Sequence, residues 1–188
     1  MEIYIIRHTE IKNISSICYG QSNPPLADTF LEEVATIKAK LPTDFDSVYS
    51  SPLIRCQLLA NELGFQNIQF DDSLMELNFG IWEGKPWNEI PSLELNPWMI
   101  DFVNVAPPEG ESLIDMQARV SSFIEALRTQ PHKKVIIITH AGVIRCIFSH
   151  ILNIPLINIF KLSVEYGEVF CIKLAKESVM DKVFLKNL

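Results

Sequence analysis

The chain reads as an α/β protein, a three-layer α/β/α sandwich built on a mostly parallel sheet, and three observations predict it. Two unbroken β-favouring apolar runs, Ile3 to Ile6 and Val135 to Thr139, have the make-up of strands covered on both faces. Amphipathic helical patterns alternate with the strand-like runs. The 188 residues, 48% hydrophobic and 21% charged, suffice for one compact domain, because a chain of this size buries about 70% of its unfolded surface. That composition excludes disorder, collagen and coiled coil.

The first strand, Ile3 to Ile6, ends abruptly in Arg7-His8. Thr29-x-x-Glu32 has the spacing of a capping box for a helix that runs to about Leu41, where Pro42 stops it. Ser47 to Ser50 reads as the second strand. Ser51 and Pro52 then suit an N-cap and first helical position, and the helix through Arg55 and Leu59 closes at Gly64. A short strand lies around Ile68 to Phe70. Residues 71–110 are rich in Pro, Trp and acids without steady periodicity, which predicts an insertion of short helical pieces over the core. Ser112-x-x-Asp115 opens a helix with apolar residues at Met116, Val120, Phe123 and Leu127. The buried strand Val135 to Thr139 ends in His140, and a further helix begins near Gly142. Two β-rich runs in the tail, Val169 to Leu174 and Lys182 to Leu188, can add strands at a sheet edge in antiparallel sense.

With 16 Lys+Arg against 23 Asp+Glu, the net charge is -7, which argues against a nucleic-acid binder. No apolar run approaches the ~20 residues that span a bilayer. The first residues lack the basic stretch and apolar core of a signal peptide, so a cytosolic protein is expected. Cys18, Cys56, Cys146 and Cys171 are scattered without a Cys-x-x-Cys, so buried or free thiols are expected rather than a disulfide framework or zinc knuckle.

Ile5-Ile6-Arg7-His8 and Ile137-Ile138-Thr139-His140 end alike, and in α/β sheets ligands bind outside the carboxyl ends of strands. Both histidines should therefore face one crevice. Arg55, one turn into the helix after the second strand, can reach the same place. Two arginines and two histidines suit a dianion, since guanidinium forks bind phosphate oxygens. Each charge pair at ~4 Å contributes on the order of 4 kcal/mol before desolvation. His132 and His150 lack such a setting and read as ordinary surface or core residues. Other phosphate chemistries fail on the letters. Gly80-Ile81-Trp82-Glu83-Gly84-Lys85-Pro86 is one residue short of a P-loop and lacks its Ser/Thr. None of the cysteines starts a Cys-x5-Arg loop, and Gly-x-Ser-x-Gly and His-Glu-x-x-His do not occur. Histidine remains as the nucleophile.

Five blocks occur in order over nearly the whole chain: Arg7-His8-Thr9-Glu10, Ser50-Ser51-Pro52-Leu53-x-Arg55, Leu74-Met75-Glu76-Leu77-x-Phe79-Gly80-x-Trp82-Glu83-Gly84, Gly110-Glu111-Ser112 and Thr139-His140-Ala141-Gly142-Val143-Ile144-Arg145. Together they resemble the histidine phosphatase, or phosphoglycerate mutase-like, superfamily. Cys18-Tyr19-Gly20-Gln21-Ser22-Asn23-Pro24-Pro25-Leu26 looks most like its alpha-ribazole phosphatases of cobalamin assembly, with Asn23 where an Asp is usual. Thr9 stands where most members have Gly, and Asn13 falls one place early for the usual Asn, so Asn13 receives no phosphate contact.

The resemblance implies a single histidine phosphatase domain over residues 1–188 with the insertion at about 71–110. It further implies His8 as a nucleophile that forms a phosphohistidine. Arg7, Arg55 and His140 would hold the equatorial oxygens. Glu76 would serve as general acid and then base, protonated at the start beside a phosphate dianion. No metal or organic cofactor is required. The expected partner is a small-molecule phosphomonoester, with no nucleic acid and no membrane; the oligomeric state is left open. Further from the centre, Thr9 offers a hydroxyl, Ala141 sits beside His140, and Glu111 is placed to line the crevice. Gly20 and Gln21 are either donors that close the pocket or a simple turn before Pro24-Pro25. Trp82, Trp87 and Trp98 all fall in the insertion, where they pack it onto the domain or stack a flat leaving group such as a benzimidazole riboside.

The preferred substrate is thus alpha-ribazole 5′-phosphate. Phosphoglycerate mutase or broad small-molecule phosphatase activity is the alternative within the superfamily, and a non-catalytic phosphate-binding module the alternative outside it. A phosphoglycerate carboxylate needs extra cations, yet between Asp71 and Asp115 ten acids face Lys85 alone, a local charge of -9 that leaves +2 for the rest of the chain. An acidic aromatic lid over a slightly cationic core should favour a neutral or weakly basic leaving group and disfavour polyanions.

Overall fold

The computed structural model describes residues 1–12 and 16–184; Asn13 lies outside these, as does the end of the last strand-like run. Among the described residues six strands, β1 (Glu2–Arg7), β2 (Ser47–Ser50), β3 (Gln69–Phe70), β4 (Lys134–Thr139), β5 (Val169–Lys173) and β6 (Lys182–Phe184), form one sheet in the order β3-β2-β4-β1-β5-β6. The first four run parallel, and β5 and β6 add an antiparallel edge.

The helices are α1 (Phe30–Lys40), α2 (Ile54–Glu62), α3 (Ser92–Ile100), α4 (Leu113–Arg128) and α5 (Ala141–Leu152). Period-two alternation divides β4 between two cores. Val135 and Ile137 pack with Met116, Val120 and Ile144 of α4 and α5, whereas Ile136 and Ile138 pack with Val34, Ile37, Leu59 and Ala60 of α1 and α2. The sheet is thus covered on both faces, the three-layer arrangement expected of continuous apolar strands.

Two helix starts differ from expectation. Thr29 precedes α1, but its side chain accepts no cap hydrogen bond; its hydroxyl instead donates to Glu33 Oε1 at 2.6 Å. The spacing to Glu32 is therefore not used, because Glu33 is one turn on and within direct reach. Helix α2 begins at Ile54 rather than Pro52. The Ser51 hydroxyl is shared, bonding His140 Nε2 at 2.8 Å and accepting from Leu53 N–H at 3.3 Å, and the Ile54 N–H donates to Asn23 Oδ1 at 3.2 Å. The Ser112/Asp115 capping box of α4 is present as read.

Residues 71–110 carry three short 3₁₀ turns, Asp72–Leu74, Gly80–Trp82 and Trp87–Glu89, followed by α3. They enclose a small core of their own, Cys18, Trp82 and Ile90, with Phe79, Trp87, Leu95 and Trp98 packed around it. All four cysteines are buried, and none is joined in a disulfide. Among the described residues, no helix is long and apolar enough to cross a membrane.

Candidate active site

The order of the sheet creates the site. Strand β4 lies between β1 and β2, so three parallel strands end side by side. The ladder continues past them through His8 N–H to Thr139 carbonyl at 2.9 Å and Ser51 N–H to Ile138 carbonyl at 2.9 Å. His8, Ser51 and His140 thereby emerge at one edge, with their ring centres 5.1 Å apart for the two histidines.

His8 is 1% exposed, and its Nδ1 lies 2.8 Å from the Thr9 carbonyl. A carbonyl only accepts, so this contact places the proton on Nδ1 and leaves Nε2 with its lone pair. Arg55, equally buried, donates Nε to both His8 Nε2 and His140 Nδ1 at 3.2 Å. With Nδ1 accepting, His140 donates Nε2–H to Ser51. Burial, followed by the Arg55 charge, pushes both imidazoles well below the usual histidine range, so both are neutral near pH 7. Arg55 is held from behind as well, with Nη1 donating to the Ser22 carbonyl at 2.8 Å and Nη2 to the Gly20 carbonyl at 2.7 Å.

The Arg7 guanidinium carbon lies over Tyr166, 3.6 Å from its ring centre, and Nη1 donates to the Val164 carbonyl at 2.6 Å. Glu76 enters from the insertion. Its Oε1 accepts from its neighbour Leu77 N–H at 2.9 Å and its Oε2 from Gly142 N–H at 3.2 Å, at the first turn of α5. A Cβ on Gly142 would collide with Glu76 Oε1, so glycine is what lets this carboxylate approach the helix end. His8, Arg7, Arg55, His140 and Glu76 are thus gathered at one point from strand ends, a helix start and the insertion.

The outer residues fall differently. Gly20 and Gln21 form a tight turn: the Gly20 carbonyl holds Arg55 at 2.7 Å, the Gln21 N–H is given to Glu83 Oε1 at 2.8 Å, and the Gln21 amide donates Nε2–H to the Glu76 carbonyl at 2.9 Å. Thr9 is buried and offers its carbonyl to His8. Ala141 opens α5 beside Gly142. Glu111 does not line the cavity; it pairs with Arg119 at 2.6 Å and accepts from Asn78 N–H, bracing the loop that carries Glu76. Trp82 has no exposed surface and donates to Glu94 Oε2 at 2.8 Å, so it is packing and has no face for a ligand. His150 bonds Glu125 at 2.7 Å and His132 lies against Tyr49, both away from the site.

Beside Glu76 opens a cavity of about 350 Å³, lined largely by apolar and aromatic groups, among them Tyr19, Phe79, Trp87, Phe160 and Tyr166. Of the three tryptophans only Trp87 reaches it. Tyr166, Phe160 and Arg145 line it without having been singled out in the sequence. Arg145 carried a usable signal, three residues after Gly142 on one helix face; Tyr166 sits in a loop with no pattern to mark it.

A model of the histidine phosphatase superfamily (branch 1) matches residues 3–182. The chain belongs to this superfamily. An Escherichia coli relative named "Probable phosphoglycerate mutase GpmB" is 30% identical over 168 residues, 82% of this chain and 76% of that one. A candidate phosphoserine phosphatase of Hydrogenobacter thermophilus is 27% identical over 173 residues, 87% and 84% of the two chains. The crystal structure of the alpha-ribazole phosphatase from Shigella flexneri superposes with a TM-score of 0.85 over 92% of this chain and 90% of that one, at 24% identity, a likeness of fold. The superfamily makes this chain an enzyme acting on small phosphorylated substrates, and phosphoglycerate mutase-like is the right description of its fold.

Proposed function

We propose that this chain is a phosphomonoester hydrolase that works through a phosphohistidine on His8. The observation that carries the reading is the Thr9 carbonyl on His8 Nδ1, which turns an unprotonated Nε2 toward Arg55 and His140. In the first step Nε2 attacks phosphorus in line; the P–N bond forms as the P–O bond to the leaving alcohol breaks, and Glu76 delivers the proton that the departing oxygen needs. Arg7, Arg55 and His140 stabilise the charge on the three equatorial oxygens. In the second step Glu76 takes a proton from water, whose oxygen attacks phosphorus and releases His8 and inorganic phosphate. Acid-base work of this kind contributes typically ~10² to 10⁴ in rate.

The cavity next to Glu76 is where the leaving group lies. Its aromatic lining fits a flat, largely apolar body, which favours alpha-ribazole 5′-phosphate among the substrates that the sequence suggests. Incubation with a phosphomonoester and quenching should trap an acid-labile, alkali-stable phosphoenzyme that His8→Ala lacks, with activity lost by about 10⁴-fold or more. A chain that binds phosphate without forming a phosphoenzyme or releasing product would be a binding module instead. Interconversion of phosphoglycerates without net phosphate release would point to a mutase.

A further inference from the structure

Among the described residues lining the leaving-group cavity, Arg145 is the only arginine or lysine, and the phosphate chemistry above does not use it. It lies three residues after Gly142, so it shares the face of α5 that meets Glu76. Its Nε donates to the Leu162 carbonyl at 3.0 Å, and its guanidinium carbon lies 5.4 Å from the ring centre of Phe160, another lining residue. The group is therefore anchored at one nitrogen. Its terminal nitrogens, which carry four N–H donors, have no protein acceptor and no ion-pair partner among the described residues, and neither is sealed from solvent. Burial lowers its pKa from the ordinary arginine value, the mark of a charge whose hydration has been partly removed without an equal replacement.

We propose that Arg145 determines specificity for the leaving group, its two terminal nitrogens receiving a pair of adjacent oxygen acceptors on the departing alcohol. The proposal rests on the phosphatase reading and names what the cavity selects. A guanidinium fork matches two oxygens side by side, whether the two of a carboxylate or the vicinal hydroxyls of a sugar. One helical turn separates Gly142, which holds Glu76, from Arg145, so the paired oxygens lie in the same cavity and over the same face of α5 as the proton donor. The aromatic walls take whatever apolar body joins the two. This cation comes from α5, outside the segment where acids outnumber bases, so the shortage of cations between Asp71 and Asp115 does not exclude a carboxylate-bearing substrate.

The test compares kcat/KM for alpha-ribazole 5′-phosphate, which offers a diol, phosphoserine, which offers a carboxylate, and phenyl phosphate, which offers neither. Wild type, Arg145→Met and Arg145→Lys are measured as full chains, with thermal unfolding as the check on folding. Arg145→Met is expected to lower the ratio of the ribazole or the phosphoserine value to the phenyl phosphate value by about tenfold or more, and the substrate whose ratio collapses identifies the source of the oxygens. Arg145→Lys, which keeps the charge but not the fork, should fail to restore a diol substrate and partly restore a carboxylate; it also carries the test if the methionine variant does not fold. Ratios that stay at wild-type values for both substrates in a folded variant overturn the proposal. If wild type forms no phosphoenzyme and turns over none of the three, the phosphatase reading itself has failed.

Discussion

In the strand-end pocket Arg55 directs its guanidinium at two imidazole nitrogens and two carbonyls, whereas in the facing insertion Trp82 makes one hydrogen bond and otherwise packs in an apolar cluster with Cys18, Ile90 and Trp98, the last ring 6.0 Å away. The first arrangement is set by directional bonds that tolerate little displacement. The second is set by volume and apolar contact, which small shifts leave nearly intact. The two regions should therefore fail in different ways: damage to the insertion shows first in stability, and damage to the pocket shows in rate while stability holds.

Trp82→Ala tests the first half. The fully buried ring leaves a cavity at the centre of the insertion's core, at a cost of about 3–5 kcal/mol. Urea denaturation should move to a lower midpoint, while kcat of the folded protein stays close to wild type. Trp87→Ala, which opens the cavity wall, should act on KM instead. A Trp82→Ala protein with an unchanged midpoint and a lost kcat would mean that the insertion is part of the directional frame.

Gly142→Ala tests the other half and should separate the two quantities by sign. Alanine in a helix is favoured over glycine by roughly 0.5–1 kcal/mol, but here its Cβ meets Glu76 Oε1 and stands 3.0 Å from Met116 Cε. Displacing the carboxylate should lower kcat by about 10²-fold, with little loss of stability. If kcat is unchanged, Glu76 tolerates movement and its contact with α5 is incidental.

The same contrast explains what the sequence revealed. Strands bounded by apolar runs and helices bounded by glycine or a capping box were legible because those signals are local; β2 spans Ser47–Ser50 as read, and Ser112 caps α4. Arg7, His8 and His140 were legible as one group because they end parallel strands, and Arg55 because it opens the helix after another, whereas Glu76, in the insertion, was legible only through the resemblance of its block. Ser51 misled because a hydroxyl next to a proline looks like a cap, and only the fold shows His140 competing for it while Asn23 serves α2 from 31 residues away. Trp82, Trp87 and Trp98 were equivalent by composition, and packing alone separates the buried ring from the one on the cavity. Arg145 lies on α5, outside the acidic segment, so a count of cations between Asp71 and Asp115 does not include it.

The smallest expected effect is on pH dependence, and it belongs to the pocket alone. His8 and His140 are both held well below the usual histidine value, by burial and then by Arg55. In the unfolded chain they titrate near pH ~6.5, so between that value and their folded values the unfolded state binds more protons. Stability then rises with pH through this window and is lost as pH falls below about 6.5, by up to about 1.4 kcal/mol per pH unit for each histidine. Urea midpoints for wild type and His140→Asn between pH 7.5 and 5.5 isolate the contribution, since the variant removes one titrating group and should flatten the slope. Kinetics supply an independent reading. Because His8 keeps its lone pair as the solution is acidified, kcat/KM should show no protonation limb at pH ~6.5. A limb there, with equal stability slopes in the two proteins, would show that the imidazoles are hydrated and titrate freely, and the distinction between a rigid dry pocket and a merely packed insertion would fall with it.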